Sequence, residues 1–230
     1  SSRNSALSDY LDSIKEGIGL MAFNSEVVDA LKEFDGAWAA MGGDLTTMLQ
    51  RAYITENANA IGEKDKLDYA SDGSAYSAVH KKYHPFFRSF LKHKGYYDIF
   101  LINKKGDVIY TVFKELDFAT NLMHGEWKDS GLAEIFHNVM SDGKSEAKFL
   151  DFKPYAPSNN VPAGFIAMPI LDSDNNKIGA LVYQMPIARI NGVMDDYTGM
   201  GETGETYLVG TDLLMRSDSR FIDKSKNETT

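Results

Sequence analysis

The chain of 230 residues contains no cysteine, and several kinds of site are excluded at once. Without thiols there is no disulfide framework, thiolate nucleophile, Cys-ligated zinc or CxxCH haem attachment. The absence of cysteine also fits a periplasmic domain. No apolar run approaches the roughly 18 residues of a membrane-spanning helix, and no signal peptide is recognisable. Because the sequence begins within a helical pattern, we expect it to be part of a longer protein.

Positive charge is scarce relative to negative charge. The net charge of −9 makes a nucleic acid or an anionic membrane surface unfavourable as the main partner. Recognised catalytic motifs such as GxSxG and the P-loop are missing too. Residues 199–204 match GxGxxG, but a helical segment precedes them and a strand follows, which reverses the order that dinucleotide binding requires. We therefore expect residues 199–204 to be a flexible joint. Because no catalytic motif is recognisable, we also expect no enzymatic activity, no cofactor and no metal site.

The first 95 residues carry apolar side chains at helical spacing. These stripes predict helices at residues 6–23, 45–54 and 74–94, and a further helix that Ser25 caps. Residues 56–73 read as a polar loop packed around Ile61 and Leu67, and Gly95 is a suitable C-terminal stop. Residues 1–95 thus form a predicted helical arm. The apolar stripe of its first helix is a candidate surface for a second copy of the chain.

Residues 96–186 have the pattern of one antiparallel sheet. Strands at 97–102 and 108–113 flank the turn sequence KKGD, and short connections require antiparallel neighbours. A helix at 129–140 follows, and further strands are predicted at 147–152, 165–171 and 178–185. The proline-containing loop 153–162 lies among them. The predicted fold class is α+β: a long N-terminal helical arm followed by a PAS-like five-stranded antiparallel sheet.

Residues 187–230 are predicted to begin a second unit. A short helix at 187–196 is followed by a candidate hairpin with strands at 205–209 and 213–216. Its pattern parallels the first hairpin, which indicates weak internal repetition. We therefore expect the start of a second PAS-like unit.

Three segments together resemble a known family. YYDIFLINKKGDVIYTVFKELDFATNL (96–122), DFKPYAPSNNVPAGFIAMPI (151–170) and GETGETYLVG (201–210) resemble the extracytoplasmic double-Cache (PDC, PAS-like) sensor region of bacterial methyl-accepting chemotaxis proteins. The resemblance implies a membrane-distal unit at 96–186 and a truncated membrane-proximal unit at 187–230. It further implies the periplasmic portion of an inner-membrane chemoreceptor that binds a small solute and signals through its long helix.

The resemblance leaves the output and the partner open. Similar ectodomains occur on sensor histidine kinases and nucleotide cyclases, and a sensor of a periplasmic protein partner is a further alternative. Ectodomains of this kind imply at most a weak or membrane-dependent homodimer. Amino-acid-binding members carry an Arg-x-Trp-Tyr run after the second strand and an aspartate on the last strand. Here only Trp127 remains of that run and Gln184 replaces the aspartate, so we expect a small polar solute other than an α-amino acid, such as a carboxylate.

Polar residues at the exit of the second strand form the core of the predicted ligand site. Lys114 can pair with an anion while Asp117, Thr120 and Asn121 orient it. The alternative is that these side chains only hold the loop through bonds to its backbone. The predicted ligand-binding residues are Tyr110, Lys114, Asp117, Thr120, Asn121, Trp127, Tyr155, Phe165 and Gln184.

The remaining candidates have equally plain alternatives. Tyr155 and residues 156–160 are either a lid or a surface loop stiffened by its prolines. Tyr110 and Phe165 are either pocket walls or core residues. His80 and His84 stand four apart on one helix face, a spacing that suits zinc, but the HExxH carboxylate is missing. A solvated or interfacial face is therefore the expected role of the two histidines.

Overall fold

A computed structural model describes residues 2–194 and 207–219. Its α-helices are α1 (Ser2–Ala22), α2 (Ser25–Ala40), α3 (Leu45–Gln50), α4 (Ala75–Lys94), α5 (Gly131–Ser141) and α6 (Ile187–Met194). Its strands are β1 (Asp98–Asn103), β2 (Val108–Thr111), β3 (Lys148–Tyr155), β4 (Val161–Leu171) and β5 (Lys177–Pro186). None of the helices within the described ranges is long and apolar enough to cross a membrane.

The helix boundaries follow from local capping. Asn24, rather than the predicted Ser25, caps α2, because its side-chain oxygen accepts a hydrogen bond from the Glu26 amide at 2.8 Å. Ser74 caps α4 in the same way, and Gly95 ends that helix in the left-handed conformation with φ of 70°. The predicted helix at 45–54 divides into α3 and a π-helical turn, Arg51–Thr55.

The sheet has the strand order β2-β1-β5-β4-β3, with every neighbouring pair antiparallel. This order confirms the predicted PAS-like five-stranded antiparallel sheet. The predicted loop 153–162 is shorter than expected, since β3 continues to Tyr155 and β4 begins at Val161. Pro154 of the edge strand β3 pairs with Pro162 near the start of β4. Pairing of β4 with β5 begins only at Ala163, so neither proline interrupts an inner ladder.

The sheet forms the middle layer of three. On one face, Ile99, Leu101 and Ile166 share a core with buried residues of α1, α2 and α4. On the opposite face, Phe100 and Phe165 form a second core with the apolar side of α5. Alternate residues of β1 therefore serve opposite cores, as the two-residue period of a strand requires.

The helical arm is packed onto the sheet of its own chain. Ile14 and Ile18 of α1 are buried in the same core as Ile166 of β4. Part of the apolar stripe of α1 is thus covered within the chain, while Leu7, Leu11 and Met21 stay partly exposed, and pairing with a second copy stays a prediction. The prediction that Ile61 anchors the loop after α3 is also wrong, because its side chain is 91% exposed. Buried Asn57 holds that loop instead, through its amide donated to Tyr53 O and Lys64 O, each at 3.0 Å.

The predicted second hairpin is present within residues 207–219. Val209 and Met215 form an antiparallel bridge, and Arg216 N donates to Leu208 O at 2.7 Å. Residues 205–206, the end of the predicted helix 187–196 and the expected joint at 199–204 lie outside the described residues. The division of the chain into units at residues 95 and 186 stays a prediction.

A buried glycine on β5 tests the packing of α2 on the sheet. A Cβ on Gly179 would collide with the carbonyl oxygen of Ile102 and would lie 2.8 Å from Leu31 Cδ2. We expect Gly179→Ala to lower the free energy of unfolding by about 1–3 kcal/mol, measured by chemical denaturation.

The matched control is Gly36→Ala on the exposed face of α2, where a Cβ has nothing within 4 Å. A helical alanine is favoured over glycine, so this variant should gain about 0.5–1 kcal/mol. Equal effects of the two substitutions would contradict the close approach of α2 to β5.

Candidate ligand site beside the loop after β3

The candidate site begins with a row of residues that crosses three strands. Asp98 of β1 pairs in register with Gln184 of β5, which in turn pairs with Phe165 of β4. Their side chains share the sheet face that carries Phe100, because side chains two residues apart on a strand point the same way. Asp98 and Gln184 are buried. A carboxyl and an amide therefore interrupt an otherwise apolar surface.

Asp98 ties the start of β1 to the end of β2. Its Oδ1 accepts from three backbone amides: its neighbour Ile99 at 2.7 Å, Val112 at 2.9 Å and Phe113 at 3.2 Å. These bonds hold the chain where it leaves β2. The residues that follow, 114–121, are the predicted polar exit.

Tyr155 at the end of β3 reaches across to this exit. Its hydroxyl donates to Asp117 Oδ2 at 2.6 Å, and its ring meets that of Phe165 edge-on with 5.0 Å between centroids. All three side chains are buried. The predicted residues Asp117, Tyr155, Phe165 and Gln184 are thus brought together by four separate segments of the chain.

Glu115 closes the other side of the site. It accepts from the Tyr97 hydroxyl at 2.7 Å and from Ser158 Oγ at 2.5 Å, and Gln184 Nε2 donates to the same Ser158 at 3.0 Å. Ser158 lies in the connection between β3 and β4, where Asn159 and Asn160 both adopt positive φ. The loop predicted as a candidate lid is therefore bonded directly to the site.

Three buried oxygens of this site have no hydrogen-bond partner. They are Asp98 Oδ2, Asp117 Oδ1 and Gln184 Oε1. A buried polar atom left unpaired costs about 1–3 kcal/mol, and native proteins rarely retain such atoms without a reason. The three unpaired oxygens make this buried polar cluster a candidate ligand site.

The carboxyl groups of the site titrate abnormally. Burial raises the pKa of Asp98 well above its usual range, and the charges of Asp117 and Glu115 raise it further. Burial likewise raises the pKa of Asp117 to about 7, against the lowering effect of the Tyr155 hydroxyl. The pKa of Glu115 is also raised, again chiefly by burial. The negative charge of each carboxylate disfavours ionisation of its neighbours.

Lys114 is buried beside the site but is engaged elsewhere. Its backbone has a φ of 57°, which is uncommon for a residue with a side chain. Its ammonium donates to Thr111 O and stands 4.3 Å from the centre of the Tyr110 ring. Burial lowers the pKa of Lys114 to about 7, opposed by the charges of Asp98 and Asp65.

The remaining predicted residues hold the loop after β2. Thr120 Oγ1 donates to Asp117 O at 2.6 Å, Asn121 Nδ2 to Asp107 Oδ1 at 2.8 Å, and Trp127 Nε1 to Leu116 O at 3.1 Å. These hydrogen bonds are the ones expected if the three side chains only fix the loop and do not contact a ligand. Tyr110 lies on the side of the sheet that faces α2 and α4, where its ring packs at a tilt against those of Phe34 and Phe87.

Sequence reasoning missed Asp98 and Tyr97 as residues of the site. One signal was available for Asp98: a lone aspartate within YYDIFLI is a charged residue inside an apolar strand, and buried charge is exceptional. Glu115 belongs to the polar exit of the second strand and Ser158 to the candidate lid, but the sequence did not single out either side chain as a ligand-binding residue. Their proximity depends on how the β3–β4 connection folds over the sheet.

The two histidines of α4 are not on a solvated or interfacial face, because both are fully buried. His84 Nε2 donates to Asp65 O at 2.6 Å, and its Nδ1 accepts from the Tyr110 hydroxyl at 2.7 Å. His80 Nδ1 donates to Asp68 O at 2.6 Å. Burial lowers the pKa of His84 to about 2, so the ring stays neutral and structural. Within the described ranges, no group of three or more potential ligands is placed to hold a metal ion.

A cavity of about 690 Å³ opens next to Glu115. Its size lies in the range of small-molecule sites. Glu115 and Tyr97 line it, together with Pro157 and Asn159, which flank Ser158. The apolar part of the wall includes Ile54, Ile61, Leu91, Phe113, Leu116 and Pro186, and the lysines Lys64, Lys92 and Lys114 line the cavity as well. The residues with the unpaired oxygens do not line this cavity.

No known family model matches the chain, and no curated protein sequence matches it. Among solved structures, the V. cholerae DctB histidine kinase sensor domain is 14% identical, with a TM-score of 0.41 over 73% of this chain. The chain spans 57% of that domain's length.

Two chemoreceptor domains give similar values. The ligand-binding domain of P. fluorescens CtaA, solved with L-serine, is 13% identical with a TM-score of 0.41 and coverage of 94% of this chain and 73% of that one. The ligand-binding domain of Campylobacter jejuni Tlp3, solved with 4-methylisoleucine, is 12% identical with a TM-score of 0.43 and coverage of 89% and 78%. All three are described as sensor or ligand-binding domains.

The raised pKa of Asp117 predicts a dependence of stability on pH. Between about pH 4 and pH 7 the folded chain keeps a proton that the unfolded chain has released, since the pKa is about 7 in the folded state. Rising pH in this window therefore lowers the free energy of unfolding, by about 1.4 kcal/mol per pH unit for one full proton. We expect Asp117→Asn to remove this contribution.

The measurement is denaturant unfolding of both proteins at pH 5, 6 and 7. The free energy of the variant relative to the original chain should rise across this window. Contributions from His80, His84 and Lys114 are common to both proteins and largely cancel. The charge of Asp117 also raises the pKa of Asp98, so its removal lowers that pKa and changes the difference in the same direction. Asp174→Asn, in the exposed turn before β5, corrects for the loss of one negative charge. A difference that stays constant with pH would contradict the burial of an ionisable Asp117.

Proposed function

We propose that this chain is the extracytoplasmic ligand-sensing domain of a transmembrane receptor, most simply a chemoreceptor, and that it binds a small polar solute rather than catalysing a reaction. The observation that carries the proposal is the set of three unpaired buried oxygens on Asp98, Asp117 and Gln184. Pairing them with a ligand recovers a cost of about 1–3 kcal/mol for each atom. The closed, ligand-bound arrangement is thereby favoured over the empty one.

The elements around the site connect it to the helical arm. Tyr97, which donates to Glu115, follows directly after Gly95 and Tyr96 at the end of α4. Ser158, the second donor to Glu115, belongs to the β3–β4 connection. A ligand that changes the Glu115 contacts therefore acts on both the β3–β4 connection and the end of α4. Shifts of helices by about 1–2 Å are a recognised switching mode, provided that the ligand binds one state better.

The wider setting is part of the same proposal. Residues 96–186 form the membrane-distal sensor unit, residues 187–230 begin a proximal unit, and the receptor is anchored in a bacterial inner membrane with this part in the periplasm. Any homodimer of the fragment is weak, since the two central residues of the α1 stripe, Ile14 and Ile18, are buried within the chain. The neighbouring structures were solved with L-serine and 4-methylisoleucine, so amino acids belong in any ligand screen.

Two alternatives differ from a chemoreceptor for a small solute, one in its output and one in its ligand. A histidine kinase or nucleotide cyclase ectodomain would use an identical site with a different cytoplasmic partner. A receptor for a periplasmic protein would instead leave the buried oxygens unpaired in the complex and bind at the surface.

A thermal-shift screen against organic acids, amino acids, sugars, amines and purines tests the proposal. A ligand present at a hundredfold excess over its Kd stabilises the folded state by about 2.7 kcal/mol. We expect at least one class to raise the melting temperature, and Tyr155→Phe, which removes the hydroxyl bonded to Asp117, to weaken binding about tenfold.

Tyr69→Phe is the matched control, because this tyrosine is 42% exposed and lies far from the site in sequence and contacts. The control should bind as the original chain does. A screen without any stabilising solute, on a protein that unfolds cooperatively, would contradict small-molecule sensing and favour the protein-partner alternative.

A further inference from the structure

Tyr155 reaches the candidate site only because β3 is irregular. Leu150 pairs with Phe165 of β4 and lies on the α5 side of the sheet, and Tyr155 lies on the same side. Side chains of a regular strand alternate between the two faces, so two residues separated by an odd number of positions lie on opposite faces. Leu150 and Tyr155 are separated by five positions, and their common face therefore requires one extra residue between them. A regular β3 would turn Tyr155 toward α2 and α4 and away from Asp117.

The extra residue lies at Asp151 and Phe152. Pairing with β4 is interrupted after Leu150 and resumes at Lys153, so these two residues oppose Gly164 alone. This arrangement is a β-bulge, which changes the direction of the side chains that follow it. A Cβ on Gly164 would lie 2.9 Å from Phe152 Cε2, so the glycine makes room for the bulge. Phe152 accordingly packs in the core that the sheet shares with the helical arm.

Arg216 of the second hairpin (residues 207–219) contacts this bulge. Asp151 Oδ1 accepts from the Phe152 amide at 2.8 Å, and its Oδ2 accepts from Arg216 Nε at 3.1 Å. The Arg216 side chain is 6% exposed, and it also donates to Asp212 Oδ2 at 2.7 Å and to Leu214 O at 3.1 Å. A planar guanidinium with two carboxylate partners is fixed in orientation. Because β3 is an edge strand, its ladder lies on one side only, and side-chain contacts such as this one fix the bulge.

The second hairpin is fastened to the rest of the chain at a further point. Asp218 N donates to Asn191 Oδ1 at 2.9 Å, and Asn191 Nδ2 donates to Asp218 Oδ2 at 3.0 Å. Asn191 belongs to α6, which directly follows β5. Leu208 adds an apolar contact with the core that includes α1, α2 and α4. The hairpin is thus docked on α6, and its Arg216 contacts the strand that carries Tyr155.

We propose that Arg216 is a positioning residue for the ligand site. By holding Asp151 in the bulge of β3, it keeps Tyr155 on the face of the sheet that carries Asp117. Docking of the second hairpin is thereby coupled to occupation of the site. This inference rests on the proposed sensing function and goes further by naming how the site is regulated. The second hairpin is then a route for the signal in addition to the long helix.

Fluorine NMR of the chain labelled with fluorotyrosine tests the coupling without any ligand. The resonance of Tyr155 is identified by its absence in Tyr155→Phe. In Arg216→Ala we expect this resonance to move toward that of a tyrosine in the urea-unfolded chain, because the ring loses its fixed contacts with Phe165 and Asp117.

Two further variants assign the effect to the Arg216–Asp151 contact. Asp151→Asn keeps an acceptor for the Phe152 amide but weakens the contact with Arg216, and it should displace the Tyr155 resonance in the same direction. Arg216→Ala combined with Asp151→Asn should displace it no further than Arg216→Ala alone, since both changes act on one interaction. Arg216→Lys retains a cation for Asp151 without the planar fork and should restore part of the native position.

The reverse direction of the coupling is measured by hydrogen exchange. The Arg216 amide donates to Leu208 O across the second hairpin and reports on its integrity. Because coupling between two sites is reciprocal, Tyr155→Phe should make this amide exchange roughly fivefold faster. The matched control is Arg51→Ala, which removes an arginine from an exposed ion pair with Glu56. It should leave both the Tyr155 resonance and the Arg216 amide unchanged.

The outcomes separate this inference from the proposed function. A native Tyr155 resonance in Arg216→Ala, in a protein that still melts cooperatively, overturns the positioning role and leaves the sensing function intact. An equal displacement in Arg51→Ala also overturns it, because the response would then report a general loss of stability. A displaced resonance together with a screen that finds no stabilising solute overturns the sensing function and keeps the coupling between the hairpin and the bulge.

Discussion

The structure depends on one costly arrangement, which is the burial of Asp98 and Asp117 with incomplete hydrogen bonding. Asp98 secures the start of β1 against the exit of β2 through its Oδ1, and its Oδ2 has no partner. Asp117 is held by Tyr155 from the opposite end of the sheet, and its Oδ1 has no partner either. Each aspartate therefore has one oxygen that fixes a neighbouring segment and one buried oxygen without a partner.

This division of roles explains why the surrounding scaffold is so extensively packed. The sheet is covered on one face by α1, α2 and α4 and on the other by α5, so neither face can relax to solvate the carboxyl groups. Two segments outside the sheet are bonded to the site. The β3–β4 connection touches it through Ser158, and the residues after α4 through Tyr97.

The order and type of the elements could be predicted from the sequence because they follow from local periodicity and turn chemistry. The alternation of β1 and β2, the KKGD turn and the Gly95 stop were sufficient for the hairpin and the end of α4. Long-range packing was not accessible in this way. The burial of His80 and His84 depends on the loop that places Asp65 and Asp68 beside them, and no spacing rule reports on that.

The candidate site was predictable in part for the same reason. Asp117, Tyr155, Phe165 and Gln184 could be proposed from their positions, while Glu115 and Ser158 meet only after the chain has folded. The most direct test is a carbon-13 NMR titration of the aspartate carboxyl carbons. The account predicts an aspartate that titrates near pH 7 and whose signal is missing in Asp117→Asn. Aspartates that all titrate near pH 4, as in unfolded chains, would contradict the buried acidic site.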